Sequence, residues 1–319
     1  GGRDPERGPF RRAHVTGCIV KPRVRIQQIA RCRRIRGGKA GYTRAVGRPL
    51  PLRRLLEIYV SFFALLTPGA RIVWFAFDLV YYALFAGLYL LCGARRAREF
   101  LMTLGLGRAL CLLRLPDGNT VLFRRSDRQF LRQVYQTRCY DAPRVDPGEV
   151  VLDVGAQIGF FTLRAARRGA AVIALEPEPA NHAMLRRNVA MNGFKNVTLL
   201  QQAASSAASF RPLSLSPVNP GIHSLRFQVG TESVSVEVIT LDDLAERLGL
   251  RDVAVLKIDV EGEELEVLKG AQKLLPRVRE VILEVDGGDA EFWQVSDFLA
   301  GFGFTTRLGA WRIARATRL

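Results

Sequence analysis

From Glu149 onward, short runs that are apolar at nearly every position alternate with stretches of helical periodicity. They read EVVLDVG, FTLRAARRG, AAVIALEP, AMLRRNVAMNG and NVTLLQQAAS, then VAVLKIDV, EELEVLKGAQKLL and REVILEV. A strand that is apolar on both faces must be covered on both, and the intervening helices supply the cover. The pattern therefore predicts an α/β domain over 146–319, with a doubly wound, mostly parallel sheet. At 319 residues and 48% hydrophobic content, the chain can fill such a core.

The segments ahead of this domain differ from it in kind. Residues 101–145 read as a lead-in: Cys111 to Arg125 (CLLRLPDGNTVLFRR) as two short strands around a Pro-Asp-Gly turn, then a helix from Asp127 to Tyr140, with Pro143 to Glu149 as linker. Residues 57–100 form a hydrophobic helical segment, in which IYVSFFALL and a PGAR break precede Ile72 to Cys92, 21 residues with Asp78 as the one charge. A helix of that length reaches about 30 Å, the thickness of a bilayer core. Its Leu, Ile, Phe and Val residues favour insertion by about 3 to 7 kcal/mol, against about 3 for a central Asp78. Two readings stay open, a membrane anchor over 58–92 and a helical hairpin packed on the enzyme domain. The flanking arginines do not settle orientation, and an interfacial or re-entrant hairpin reconciles them with the basic tail.

Residues 1–56 form that tail, expected to be disordered. Within 1–54, 16 Lys/Arg face only Asp4 and Glu6, so +14 of the net +17 lies there. Such a charge suggests nucleic acid or anionic lipid, but it belongs to the tail and says little of the folded domain. The first methionine is Met102, from which the stretch ahead of it is expected to be a fragment or to begin upstream of the native start. No secretory signal is read there, because the basic stretch is too long for one. Cys18, Cys32, Cys92, Cys111 and Cys139 never form a CxxC pair, so they are read as reduced thiols. No His/Cys/carboxylate cluster calls for a metal.

Chemistry is concentrated in three places. In LDVGAQIGFF a buried strand ends at Asp153 and turns through Gly155, Ala156 and Gly159 into a helix, whose free N–H groups offer a ligand site. AVIALEP ends in Glu176, 21 positions after Gly155, where a carboxylate accepts both ribose hydroxyls of a nucleoside. The turn departs from G-x-G-x-x-G and suits a cofactor without pyrophosphate, although both cofactor types stay open at this point. In VAVLKIDVEGEE, the residues Val255, Lys257, Asp259 and Glu261 alternate onto one face, and the last two fall at the crevice end of the strand. The alternative is a Lys257–carboxylate pair that holds the sheet edge.

LDVGAQIGFFTL, ALEPEPANHAMLRRNVAMNG, VITLDDL and LKIDVEGEELEVLKGA, together with the earlier RRSDRQFLRQVYQTRCYD, resemble the FkbM-type methyltransferase family over about 120–285. The resemblance implies a class I methyltransferase (Rossmann-like) fold, S-adenosyl-L-methionine as cofactor, and O-methylation of a hydroxyl on a sugar, glycan, lipid or secondary metabolite. Carried over by position, Asp153, Gly155, Ala156 and Gly159 line the methionine and ribose side, Glu176 holds the ribose hydroxyls, and Gln202 and Ala203 flank the adenine. Gln157 stands where the family usually has Asn. SPVNPGIHSLRF resembles the substrate-side loop, which makes Asn219, His223 and Ser224 acceptor-site candidates.

Methyl transfer needs an acceptor oxygen held in line and a base for its proton. Asp259 is the first choice, with Glu261 and His223 behind it. His223 has an intrinsic pKa near neutrality, and its other reading is an exposed loop histidine. His182 reads as a surface residue. The enzyme is expected in the cytoplasm, at the cytoplasmic face of a membrane if the apolar segment inserts. Two other classes remain: a nucleic-acid-binding protein or RNA methyltransferase using the Arg-rich tail, for which no base-methylation motif is found, and a noncatalytic membrane-associated scaffold.

Overall fold

The computed structural model describes residues 78–93, 96, 110–136, 140, 145–217, 219–309 and 312–318. The tail, the whole IYVSFFALL stretch and Ile72 to Phe77 of the second run lie outside them. The described part begins with a helix over 78–93, α1. The hairpin appears where the Pro-Asp-Gly turn predicts it, as β1 (Leu110–Arg114) and β2 (Thr120–Arg124). The expected Asp127–Tyr140 helix is instead a 3-10 turn (Arg125–Asp127), a four-residue α2 (Arg128–Leu131) and a π turn (Arg132–Gln136). Tertiary partners override its periodicity: Arg125 pairs with Asp78 of α1, Asp127 accepts from Gln157, and Tyr135 donates to Asp117 at 2.9 Å.

The alternating runs then form β3 (Val150–Val154), α3 (Phe160–Arg167), β4 (Ala171–Leu175), α4 (Pro179–Met191) and β5 (Val197–Leu200). A three-stranded insertion follows, β6 (Ala203–Ala204), β7 (Ser209–Leu215) and β8 (Glu232–Ile239). After it come α5 (Leu241–Leu248), β9 (Val253–Ile258), α6 (Glu264–Lys269), β10 (Val278–Glu284), α7 (Asp289–Ala300), β11 (Phe304–Leu308) and β12 (Ile313–Arg318). The main sheet has the order β11-β12-β10-β9-β3-β4-β5. β10, β9, β3, β4 and β5 are parallel, while β12 is antiparallel to both β10 and β11. All six residues of β9 are buried, as both-face cover requires.

Strand order reverses between β3 and β9, so the crevice outside their C-terminal ends is the place for a ligand. The hairpin reaches this crevice because Asn188 of α4 and Asn192 at its C-cap pair with the backbone of β2. Asn188 Oδ1 accepts from Leu122 N at 2.7 Å and Asn192 Oδ1 from Thr120 N at 2.8 Å; their amides donate back to the carbonyls of the same two residues. Residues four apart on a helix and two apart on a strand are both separated by roughly 6 to 7 Å, so the two spacings match. This satisfies the edge of β2 and sets Arg124 to Phe130 over the cleft.

Candidate active site

Strand register brings the first charges together. Asp153 of β3 and Lys257 of β9 are paired neighbours in the parallel ladder, and their side chains meet at 3.0 Å, Asp153 fully buried and Lys257 nearly so. Lys257 Nζ also donates to Gly155 O at 2.7 Å and lies 3.6 Å from Asp259 Oδ2. Thr162 of α3 donates to the second oxygen of Asp153. The lysine–carboxylate pair thus exists, but at the sheet centre rather than its edge, where it ties the glycine turn to the end of β9.

That turn admits no side chain at Gly155. Its φ is +77°, and a Cβ would sit 1.8 Å from Asp259 O. Gly159 has φ +97°, and a Cβ there would meet Leu185 Cδ1 at 2.5 Å. Between them Gln157 adopts φ +54°, a region in which Asn is better tolerated than Gln. The longer side chain makes a contact of its own, from Nε2 to Asp127 Oδ1 at 2.8 Å. The departure from the family pattern therefore ties the glycine turn to the lead-in.

Glu176 lies just beyond β4, buried, and accepts from Gln157 N at 2.8 Å and Glu178 N at 3.0 Å. Burial pushes its carboxyl up to about 7, and its own hydrogen bonds offset this only in part. A cleft of about 600 Å³ is lined by Gly155, Gln157, Glu176, Asn181, Ala204, His223, Asp259 and Glu261. A second cavity of about 310 Å³ adjoins it, walled by Phe130, Tyr140, Phe160 and Phe161. Gly155, Gln157, Phe130 and Asp259 border both. Gly221 lies so close to Phe130 that a Cβ would approach the ring to 1.9 Å, which roofs the cleft.

Gly155, Glu176 and Asp259 border the cleft and Ala156 borders the aromatic cavity, whereas Asp153 is buried against Lys257 and Thr162 and Gly159 packs on Leu185, so neither of these two lines either space. Asp259 lies just past the end of β9, and Glu261 has φ +53°, so the period-2 alternation stops before it. Glu261 nonetheless borders the cleft.

Several other expectations are displaced. Ala203 packs into the small sheet against Leu213, Val236 and Val238, and Ala204 takes the place on the cleft. Gln202 Oε1 accepts from Arg247 at 3.2 Å instead of lining the cleft. Asn219 Oδ1 caps its own loop at Gly221 N, 3.0 Å away. Ser224 is buried and donates to Glu261 O at 2.8 Å, a strut rather than an acceptor contact.

His223 borders the cleft and is neither exposed nor basic. Its Nδ1 accepts from Ser216 N at 2.9 Å, and burial lowers its pKa to about 4, so the argument from a near-neutral pKa fails. His182 is partly buried, and desolvation lowers its pKa too. Sequence reasoning missed Phe130, Tyr140, Asn181 and Glu284. Asn181 donates to Pro220 O at 2.9 Å and to Glu176 Oε1 at 3.5 Å, and accepts from Arg124, so it links strand tip, loop and lead-in.

A switch-point crevice with a glycine turn on one side and a buried strand-tip carboxylate on the other suits a nucleoside-bearing cofactor, and the seven-stranded sheet, parallel but for β12, is that of the class I methyltransferase fold. The residues fit S-adenosylmethionine: Glu176 is held by N–H groups and has no ion-pair partner among the described residues, so it can accept the two hydroxyls of a ribose. The family model described as a methyltransferase FkbM domain matches residues 153–307. The 31-O-demethyl-FK506 methyltransferase FkbM of Streptomyces tacrolimicus is 33% identical over 229 residues, 60% of this chain and 88% of its own. Methyltransferase sdnD of Sordaria araneosa is 32% identical over 49% of this chain and 74% of its own. Hexuronic acid methyltransferase AglP of Haloferax volcanii is 35% identical over 44% of this chain and 57% of its own. The chain belongs to the FkbM methyltransferase family and is an S-adenosylmethionine-dependent enzyme.

Proposed function

We propose that the chain methylates a hydroxyl of a small-molecule or carbohydrate acceptor, with Asp259 as the base. The observation that carries this reading is the place of Asp259, at the boundary shared by the cofactor cleft and the aromatic cavity. When bound, S-adenosylmethionine supplies an activated sulfonium methyl. Glu176 and the Gly155 turn would hold its nucleoside end, Phe130, Phe160 and Phe161 would exclude water around the acceptor, and Asp259 would take the hydroxyl proton as the methyl passes from sulfur to oxygen and leaves S-adenosylhomocysteine. Glu261 is the second candidate base. The names of the relatives, one acting on 31-O-demethyl-FK506 and one on a hexuronic acid, support alcohols of secondary metabolites and sugars as the acceptor class.

Methyl-labelled cofactor incubated with a hexuronic acid glycoside and a macrolide alcohol tests the acceptor class. Asp259→Asn should bind cofactor nearly normally and lose about 10²-fold in transfer or more. Full turnover in a folded Asp259→Asn protein excludes the assignment.

A further element of this reading is membrane association through 58–92. In α1, Leu79, Leu90 and Leu91 are 63%, 83% and 84% exposed, and Val80, Tyr82 and Tyr89 are exposed as well. No helix among the described residues is long and apolar enough to cross a membrane, and the attachment is proposed on the exposed apolar side chains of α1. Fractionation decides between modes of binding. Release by high salt assigns attachment to the basic tail, release only by detergent assigns it to the apolar segment, and a chain that stays in the supernatant excludes both.

A further inference from the structure

One tyrosine hydroxyl serves two carboxyl groups at the wall of the aromatic cavity. Tyr140 Oη lies 3.1 Å from Asp259 Oδ2 and 2.9 Å from Glu284 Oε2, at the end of β10. A hydroxyl carries one proton, so it donates to one carboxyl and can bond the other only by accepting from it. The second carboxyl must therefore be protonated. Of the two carboxyls Asp259 is the one beside a cation, Lys257 Nζ at 3.6 Å, which is shared with Asp153, and this makes it the natural acceptor of the Tyr140 proton.

Glu284 stands in the opposite situation. Desolvation first, then the charges of Asp259 and Asp286, push its carboxyl well above the usual range, against smaller opposing effects from Tyr140 and Lys257. Desolvation first, and the Asp259 charge after it, raise the Tyr140 hydroxyl well above its ordinary value, so it keeps its proton. Asp259 Oδ2 is then occupied by Tyr140 and Lys257, which leaves Oδ1 for a ligand.

We infer that Tyr140 and Glu284 are positioning residues for methyl transfer: protonated Glu284 donates to Tyr140 Oη, Tyr140 donates to Asp259 Oδ2, and Asp259 is held ionised with Oδ1 toward the acceptor hydroxyl. The inference rests on Asp259 as the base. During turnover the acceptor proton goes to Oδ1 and leaves to water through the cleft, and the Tyr140 and Glu284 protons stay in place.

Carboxyl-carbon titration of the full chain, labelled with ¹³C-carboxyl aspartate and glutamate in detergent, reads the protonation directly. Asp259→Asn and Glu284→Gln assign the two resonances. The expected result is a Glu284 still protonated at neutral pH, with the Asp259 midpoint raised by about one unit in Tyr140→Phe, the size of one lost hydrogen bond to a charged group. Glu284→Gln, whose amide still donates to Tyr140 Oη, should leave that midpoint near its original value. A Glu284 that titrates in the ordinary carboxylate range in the wild-type chain overturns the inference, with Glu284→Gln serving only to assign its resonance. So does an Asp259 midpoint unmoved in a Tyr140→Phe protein that still binds cofactor. Turnover separates the two levels: an active Asp259→Asn removes the base and the inference with it, whereas an inactive one beside an unmoved midpoint removes the inference alone.

Discussion

Two buried aspartates, Asp153 and Asp78, solve the same electrostatic problem in different places. Asp153 meets Lys257 across adjacent strands of the central sheet, and neither side chain exceeds 4% exposure. Asp78 is equally buried at 1%, yet its partners, Arg125 and Arg128, belong to the lead-in and retain some solvent contact. Arg125 also lies 3.7 Å from the centre of the Tyr81 ring, so a single side chain joins α1 to the domain by charge and by ring. The difference shows that a buried ion pair can belong to the cooperative core or act as a local latch. Within the sequence, Asp78 counted only as an obstacle to membrane insertion; in the fold it fastens an apolar helix.

The largest effect should come from Lys257→Met, which leaves Asp153 buried and uncompensated. We expect a loss of about 3 to 5 kcal/mol in urea denaturation, spread over the whole domain. If the loss is small, the pair is not part of the cooperative core. Asp78→Ala should cost about 1 to 3 kcal/mol, because two arginines lose their acceptor but remain partly hydrated. Hydrogen exchange should then rise over 78–93 while β3 and β9 stay protected, and equal loss of protection in both regions would erase the distinction.

Glu176 sharpens the contrast, being a buried carboxylate bound by N–H groups. Its pKa is raised to about 7, so protons compete with ribose hydroxyls below that value. The sign follows: binding should be strongest above pH 7 and weaken as pH falls, by about tenfold at pH 6, with proton uptake on release. Calorimetry in buffers of different ionisation heat measures this, and a flat profile between pH 6 and 8 would contradict it. The smallest effect belongs to Arg279→Ala, which breaks a well-exposed pair with Glu149. Stability should change by less than about 1 kcal/mol, as differential scanning calorimetry can check.

The cofactor half of the site was legible in the sequence because its parts are local. A glycine turn after an apolar run, and an acidic residue ending the next run, each have one geometric meaning within a parallel sheet. The proposed acceptor half is assembled from distant pieces, namely Phe130 and Tyr140 of the lead-in and Glu284 of β10, and no short motif joins them. On the side expected to flank the adenine the difference has a simpler cause: neighbouring strand residues face opposite ways, so a shift of one puts Ala204 rather than Ala203 on the cleft. Ser224 and Asn219 look like ligand groups in a polar loop, but short polar side chains bond their own loops just as readily. The fate of His223 depended on burial, which a lone histidine in a loop does not announce.

The place of β12 bears on how the molecule is made. It is the last strand in chain order, yet it lies between β10 and β11, so two-sheet neighbours wait for it. During synthesis the chain emerges from its N-terminal side, and the glycine turn, β4 and β9 are out long before Ile313–Arg318. Until then β10 presents an open edge of unpaired amides, the kind of surface on which chains associate. Nascent chains stalled ahead of β12 should therefore hold a nearly complete cofactor cleft and still be prone to aggregate, which makes the final strand the seal on the domain.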